Sequence, residues 1–562
     1  MTYLRDYQEE CCEKVNSELS NGTTSTLVVM PTGTGKTETF LEIADRWPEG
    51  EVLVLAHREE LVWQPWQRWL DKTGEHGEIE MGDIRRSTYA KCRITFASKD
   101  SLYREKRLER CFPDPKRVGL VIIDEAHHAV KQNKTYQRIL DYLDHPGLRV
   151  LGVTATPDRT DELALGQNFQ TVAFDYPLLD PAGGASAIRD GWLVPIRQLL
   201  VTVDEIDFDE LKVSGGDFQA KSLALEMSQE KVLHRVAEPT MEMAGGQRCM
   251  VFAAGIDQAS RLAEIFNRKM SGRAFCLVSR VSQSQNYGHV INSRDKNSRK
   301  RALKRFAEGF YQYAVNVGCL TEGYDCPQVR MLSMARPTKS RSLAAQMCGR
   351  GTRILPGVIE GTDWRLETPE KRKKAIEISP KPFVRVLDFV GNSRHKLVTV
   401  ADVLGGKYPD EVVGKAKELI AGAGEFGVVE ALAEAEEIHH TELEERRQIQ
   451  AKVKYQSQAV DPFGVLQVVP AREPGWHKGR QPTHGQIRAL LKFRIEKHKI
   501  EKMSFHQASQ LIDGLIQRAE GKLATYRQCK MLQKHGVDTK DLSFSRAGDL
   551  ISRLAANKWT HL

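Results

Sequence analysis

The stretch Met30-Pro31-Thr32-Gly33-Thr34-Gly35-Lys36-Thr37 decides the reading of this chain. It follows a β-branched apolar run, Thr26-Leu27-Val28-Val29, and leads into a helical pattern, Thr39-Phe40-Leu41-Glu42-Ile43-Ala44. A strand, a glycine-rich loop and a helix in that order make a phosphate cradle. The glycines let several backbone N–H groups face one point at the positive end of the helix. The spacing is that of the Pro-Thr-Gly-x-Gly-Lys-Thr variant, with Met30 where the strict pattern has glycine. In such a loop Pro31 to Thr37 wrap the triphosphate of ATP, Lys36 reaches the β- and γ-phosphates, and the Thr37 hydroxyl holds Mg²⁺.

A second stretch, Leu120-Val121-Ile122-Ile123-Asp124-Glu125-Ala126-His127, is an apolar strand that delivers two carboxylates at its C-terminal end. Asp124 is expected to hold the Mg²⁺ and Glu125 to orient or deprotonate the attacking water. His127 is expected to couple the site to its neighbours. Gln8, just ahead of the phosphate loop, carries an amide that can pair with both N6 and N7 of adenine. Val52-Leu53-Val54-Leu55-Ala56 and Ile94-Thr95-Phe96-Ala97-Ser98 are further buried-strand patterns, ending at His57-Arg58 and at Lys99. Leu151-Gly152-Val153-Thr154-Ala155-Thr156 ends in hydroxyl residues that could bond across to the carboxylate strand.

After Pro195 a connecting stretch gives way to a second αβ rhythm. Cys249–Ala254 and Tyr313–Gly318 read as strands, Ala259–Asn267 as a helix, and Ser279–Asn297 as a polar loop. The segment Gln346-Met347-Cys348-Gly349-Arg350-Gly351-Thr352-Arg353 places two guanidiniums three apart on one side of a helical turn, with no acid close in sequence. Such a pair can act on a transferring phosphate from a second body, as an arginine finger does. Val384–Phe389 reads as the last strand of this half.

The totals bound the class. A chain of 562 residues is too long for one core. No apolar run approaches the ~20 residues needed to span a bilayer. Met1-Thr2-Tyr3-Leu4-Arg5-Asp6 lacks the form of a secretion signal, so a cytoplasmic location without a membrane partner is expected. The ten cysteines form no Cys-x-x-Cys pair, so zinc is not expected. Residues 471–562 hold 18 Lys+Arg against 8 Asp+Glu, a surplus of ten, while residues 1–470 carry −2. The positive charge is in the tail, which suggests a polyanionic partner there or a solvated basic face.

Taken in order, Gln8, Pro31–Thr37, His57-Arg58, Asp124–His127, Thr154–Thr156, Thr321–Pro327 and Gln346–Arg353 resemble the superfamily 2 helicases of DEAH type. Among these the likeness is to bacterial RadD-type and restriction-motor-type ATPases, and it covers about residues 1–400. The cysteine-rich zinc element of RadD-type proteins has no counterpart here, since only Cys529 lies beyond Cys348. The resemblance implies an α/β fold of two tandem RecA-like lobes, with ATP between them and nucleic acid across their top. It implies that Lys36, Thr37, Asp124, Glu125, Gln346, Arg350 and Arg353 form the ATPase site. It also implies that His57, Arg58, Ser98 and Thr321 line the nucleic-acid track.

Beyond residue 400, Val428–Lys454 reads as a solvated helix and Pro462–Pro482 as a linker. An internal repeat follows. Thr483-x-x-Gln486-x-x-x-Leu490 recurs as Thr525-x-x-Gln528-x-x-x-Leu532, and Ser504-Phe505-x-x-Ala508-x-x-Leu511 recurs as Ser543-Phe544-x-x-Ala547-x-x-Leu550. Thr and Ser at these starts suit helix N-caps, so each unit should be a small helix pair. Arg488, Lys492, Lys497, Lys530 and Lys534 are expected to face outward and to dock nucleic acid or a protein partner. The expected division is lobe 1 at 1–195, lobe 2 at 196–400, a helical spacer and linker at 401–480, and a basic all-α repeat module at 481–562.

The expected function is an ATP-dependent DNA helicase or translocase in replication, repair or recombination. An RNA helicase, or an ATPase that remodels complexes without separating strands, remains open. A restriction motor with its own nuclease rests only on Glu210-Leu211-Lys212, a match short enough to arise by chance.

Overall fold

The computed structural model describes residues 4–87, 92–129, 133–155, 165, 168–180, 184–208, 211–214, 217–269, 272–281, 289–321, 323–359, 368–392, 397–423, 425–453, 462–466, 473 and 477–556. Thr156, Asp209, Glu210 and Glu322 lie outside them.

The first sheet has seven strands: β1 (Ser25–Val29), β2 (Glu51–Ala56), β3 (Glu78–Glu80), β4 (Ile94–Ser98), β5 (Val118–Asp124), β6 (Arg149–Thr154) and β7 (Thr171–Asp175). They run in the order β3-β4-β2-β5-β6-β1-β7, and every pair is parallel. A parallel sheet is covered on both faces, which is why β2 and β5 are continuous apolar runs rather than alternating ones. All six residues of β2 are buried, as are six of the seven in β5. Register is tight at the C-terminal edge, with Val29 opposite Thr154 and Asp124 opposite Val153.

The second sheet has eight strands. It takes β8 (Ile196–Asp207), β11 (Cys249–Phe252), β12 (Ala274–Val278), β13 (Val290–Asn292), β14 (Tyr313–Asn316), β15 (Met331–Met334), β16 (Val384–Asn392) and β17 (Phe426–Gly427). Their order is β13-β12-β14-β11-β15-β16-β8-β17, parallel except for β17 against β8. Between β8 and β11 lies a short hairpin, β9 (Val213–Ser214) with β10 (Asp217–Phe218). The two parallel sheets with their flanking helices are tandem RecA-like lobes of an α/β fold.

Several details differ from the sequence reading. Ser279–Asn297 is not wholly loop: Val290–Asn292 pairs with β12, and a helix begins at Lys296, capped by Asp295. The 12-residue β8 lies where a connection was expected. The second sheet draws its last strand from Phe426–Gly427, past the expected boundary at 400. The helix Val428–Val453 is solvated over only part of its length, since Val428, Ala431, Leu432 and Ala435 are buried.

Both sheets belong to one compact unit, which includes residues up to Leu404 apart from a few near 180, and Ala416–Ala431. The other unit holds the chain from Leu432 onward together with Gly405–Lys415. Its core joins both repeats: Leu490, Leu511 and Leu515 of the first with Tyr526, Leu532 and Leu554 of the second. Phe463, Val465 and Leu466 complete this core from the helix Pro462–Leu466, so the start of the expected linker is packed structure. The repeat is structural as well as textual. Thr483 and Thr525 each close a capping box with the glutamine three residues on. Each of those glutamines then donates from Nε2 to the carbonyl of the following helix's phenylalanine, Gln486 to Phe505 at 3.3 Å and Gln528 to Phe544 at 3.2 Å.

Arg488, Lys492, Lys497 and Lys534 are exposed as expected, whereas Lys530 is only half-exposed. It pairs with Glu496 of the first repeat, which also lies 3.2 Å from Lys499. Burial would raise the Glu496 carboxyl, but the two ammoniums outweigh it and hold its pKa at about 2. A folded pKa below the ordinary 4.5 stabilises the fold above that value and loses the contribution as pH falls toward 2. Because the pair is partly solvated, Glu496→Gln should cost only about 0.5–1 kcal/mol near neutral pH. Amide exchange in the helix Tyr526–Gln533, corrected for its intrinsic pH dependence, should speed up accordingly at about pH 7 and match wild type more closely at about pH 3.

Candidate functional site

The phosphate loop leaves β1 and turns through two glycines in left-handed backbone, Gly33 at φ 93° and Gly35 at φ 82°. Two side chains of the preceding helix, Asp6–Ser20, fasten it. The Tyr7 hydroxyl donates to the Thr34 carbonyl at 2.6 Å, and Gln8 Nε2 donates to the same oxygen at 3.0 Å. A Cβ on Gly35 would lie 2.4 Å from that amide nitrogen and would displace it, and the left-handed φ favours glycine there in any case. Gln8 Oε1 accepts from its own helix at Arg5 N, 2.9 Å away. Both ends of the amide are thus engaged by the chain, and reading adenine through it would require those bonds to be exchanged.

At the end of β5, Asp124 and Glu125 are both nearly buried, at 4% and 6% exposure. Glu125 is in the left-handed region, φ 52°, an uncommon conformation for a residue with a side chain and one that concentrates at functional sites. Its backbone N–H donates to Asp124 Oδ1 at 3.0 Å, and its Oε1 lies 3.3 Å from Lys36 Nζ. His127 joins three elements. Its Nδ1 is 2.9 Å from Thr154 Oγ1 and 3.5 Å from Glu125 Oε2, and its Nε2 is 3.5 Å from the Gln346 amide of the second lobe.

The helix Arg341–Gly349 brings the second lobe to the loop, close enough that a Cβ on Gly349 would lie 2.7 Å from Thr32 Cβ. The two arginines do not share a helical face, as their spacing suggested, because the helix ends before them. Arg350 caps it, and its guanidinium donates to the carbonyls of Thr321 at 2.9 Å and Tyr324 at 2.8 Å. Arg353 lies beyond the cap, and a Cβ on Gly33 would lie 3.3 Å from Arg353 Cγ. It forms an ion pair with Asp325, an acid 28 residues away in sequence that the local reading could not pair with it.

These groups line one cleft of about 640 Å³. One wall carries Thr32, Gly33, Gly35, Lys36, Thr37, Asp124 and Glu125, and the other carries Asp325, Arg350 and Arg353. Gln346 is buried behind it, and Pro31 and Thr34 shape the loop from below, the Thr34 hydroxyl donating to the Pro31 carbonyl at 2.7 Å. Leu4, Trp192, Ile354, Pro356 and Ile359 also line the cleft, an apolar group that no motif announced. Trp192 is held there by Arg5 and Arg372, whose guanidiniums lie 4.5 and 4.0 Å from its ring centre.

The four expected track residues divide. His57 packs its ring against His128, with centres 4.3 Å apart, and His128 packs on His127 at 4.1 Å. Arg58 Nη1 lies 3.5 Å from the Gly318 carbonyl, which also accepts from the Thr321 hydroxyl at 3.0 Å. Arg58 and Thr321 therefore meet across the lobes. Ser98 ends β4, 8% exposed, and begins the short helix Lys99–Leu102. The sequence reading missed the seam beside them: Glu59 pairs with Lys296, Glu60 with Arg299, and Gln64 Nε2 donates to the Gly323 carbonyl at 2.6 Å.

Comparison with known proteins agrees with this arrangement. Residues 2–159 match the family model of the type III restriction enzyme res subunit, and residues 228–355 match the helicase conserved C-terminal domain. IRC3 of Saccharomyces cerevisiae, named as an ATP-dependent helicase, is 26% identical over 72% of this chain and 54% of its own length. The endonuclease subunit of the type I restriction enzyme EcoAI of Escherichia coli is 25% identical over 62% of this chain and 44% of its own. The DNA 3'-5' translocase XPB2 of Sulfurisphaera tokodaii is 24% identical over 65% and 83%. The chain thus spans about half the length of IRC3. Among the described residues no helix is long and apolar enough to cross a membrane. The chain belongs to the superfamily 2 helicases and has restriction-motor-like relatives.

Proposed function

We propose that this chain is an ATP-driven DNA translocase or helicase. The observation that carries the reading is the single cleft in which Lys36, Asp124 and Glu125 of one lobe meet Arg350 and Arg353 of the other. Lys36 and the loop N–H groups take the β- and γ-phosphates. The Thr37 hydroxyl and the Asp124 carboxylate are hard oxygen donors on one wall of the cleft, a set that suits Mg²⁺. When bound there, the metal neutralises charge on the phosphate oxygens. Glu125 positions the attacking water, and its left-handed backbone aims the carboxylate back toward Lys36. Arg353, packed over Gly33, is the guanidinium that takes the transferring phosphate. Arg350 is bonded to the backbone of Thr321 and Tyr324 and passes the state of the cleft to the track. The apolar group with Trp192 takes the base.

Movement follows from alternate closing and release of the lobes on a strand held at His57, Arg58, Ser98 and Thr321. Such a grip is directed at phosphates and falls with salt. Nothing in it reads a 2′-hydroxyl, so the choice of DNA over RNA leans on the DNA translocase and restriction-enzyme relatives. The basic helical module adds a second phosphate grip through Arg488, Lys492 and Lys534, and a part in replication, repair or recombination fits such a motor.

The deciding measurement is ATP turnover of the full chain with single-stranded DNA, duplex DNA and RNA. DNA should stimulate it most, and the stimulation should weaken steeply between about 50 and 200 mM salt. No turnover with any polynucleotide, or RNA as the better activator, would overturn the corresponding part of the reading. Glu125→Gln should lower kcat by about 10²–10⁴-fold, and Lys36→Ala should raise KM for ATP as well.

For the tail, Lys492→Glu with Lys534→Glu should weaken DNA binding while leaving ATP turnover intact at saturating DNA. Unchanged affinity would assign that face to a protein partner or to solvent.

A further inference from the structure

Lys381 lies on the short connection between the helix Pro369–Ile378 and β16. It is flanked by Pro380 and Pro382. A proline fixes its own φ and drives the residue before it toward extended backbone, so this stretch has little freedom to redirect its lysine. The side chain is 1% exposed. Its ammonium donates to two backbone carbonyls, Pro327 at 2.8 Å and Arg353 at 2.7 Å.

Those carbonyls belong to the two segments that carry the ion pair of the cleft. Arg353 is one partner itself, and Asp325 stands two residues before Pro327. A ring of contacts results: guanidinium to carboxylate in front, backbone from Asp325 to Pro327, and the ammonium behind tying Pro327 back to Arg353. An ammonium is a costly way to fill a core, since an apolar side chain of the same length would pack with no desolvation penalty. Burial lowers its pKa to about 7. Among the described residues its hydrogen bonds go to those two carbonyls.

We propose that Lys381 is a positioning residue for the reaction in the cleft, clamping the backbone at Pro327 and Arg353 so that the Arg353 guanidinium is held over the phosphate loop. The proposal rests on the ATP-motor reading above. It adds a residue outside the sequence motifs to the machinery, one that touches no phosphate.

The test is a double-mutant cycle on DNA-stimulated ATP turnover of the full chain, using wild type, Lys381→Met, Arg353→Ala and the double variant. Lys381→Met should lower kcat by about 10²-fold, the scale of a misplaced reacting group, with KM for ATP close to wild type. Added to Arg353→Ala it should cost nothing more, because both changes remove one positioned guanidinium. Losses that multiply, a raised KM with unchanged kcat, or a Lys381→Met enzyme as fast as wild type beside a slow Arg353→Ala enzyme each overturn the clamp. If Arg353→Ala turns over ATP as fast as wild type, the role given to that arginine falls and takes the clamp with it. Should Lys381→Met not fold, Lys381→Gln, which keeps a donor for one carbonyl, is read in the same cycle and should give a smaller loss that still vanishes on Arg353→Ala.

Discussion

The parallel registration of β1, β6 and β5 is the constraint on which the rest depends. Val29 stands opposite Thr154, and Val153 opposite Asp124, so the phosphate loop, the threonine and the carboxylates leave the sheet at one level. Met30 N donates to the Thr154 carbonyl at 3.0 Å, carrying the pairing one residue past the strand before the loop turns away. In a parallel sheet a slip of one residue moves every side chain to the opposite face. Here it would also turn Asp124 away from Thr37. Burial on both faces leaves packing nearly indifferent to such a slip, so the charged edge is what sets the register, and an open α/β sheet binds ligands at this carboxyl end.

From that edge the contacts run outward in a short relay. His127 bonds to Thr154, faces Glu125 and reaches the Gln346 amide, and its ring packs on His128, which packs on His57. The Glu125 carboxylate and the end of β2 are thus joined through His127 and two aromatic contacts. On the second lobe Arg350 plays the matching part, because its guanidinium holds the backbone at Thr321, whose hydroxyl shares the Gly318 carbonyl with Arg58. A change in the cleft that moves Arg350 moves that point as well.

The sequence made the strands of the first lobe legible because burial on both faces leaves only apolar residues, as in Val52–Ala56 and Leu120–Ile123. That Lys36 and Asp124 come to one cleft was foreseeable, because a glycine-rich loop and a strand-end carboxylate have a recognisable type and local spacing. What escaped depends on tertiary pairing. Asp325 neutralises Arg353, and Tyr7 supports Thr34, across separations that no local pattern encodes. β8 escaped because it mixes Arg197 and Gln198 with Leu199 and Leu200, and Gln198 is nonetheless buried, its amide donating to Asp388 at 2.9 Å. The edge strand Val290–Asn292 is only half-buried and carries no apolar run. Pro462 read as a linker signal, yet a proline suits the first turn of a helix, and Phe463 and Leu466 behind it are core residues.

The two arginines show how residues of one motif come to different surroundings. Sequence spacing makes them equivalent, but the end of the helix at Gly349 does not. Arg350 keeps the cap position, where the surrounding loop offers carbonyls, and a guanidinium with several donors in a fixed fork satisfies two of them at once. Arg353 has left the helix and meets a carboxylate, a partner that a triphosphate can replace with one of higher charge. An arginine bonded to carbonyls gains little by letting go of them, whereas one paired with a single carboxylate can exchange it for phosphate at small net cost. That difference in partners is what the proposed division rests on, with Arg350 transmitting and Arg353 acting on the triphosphate.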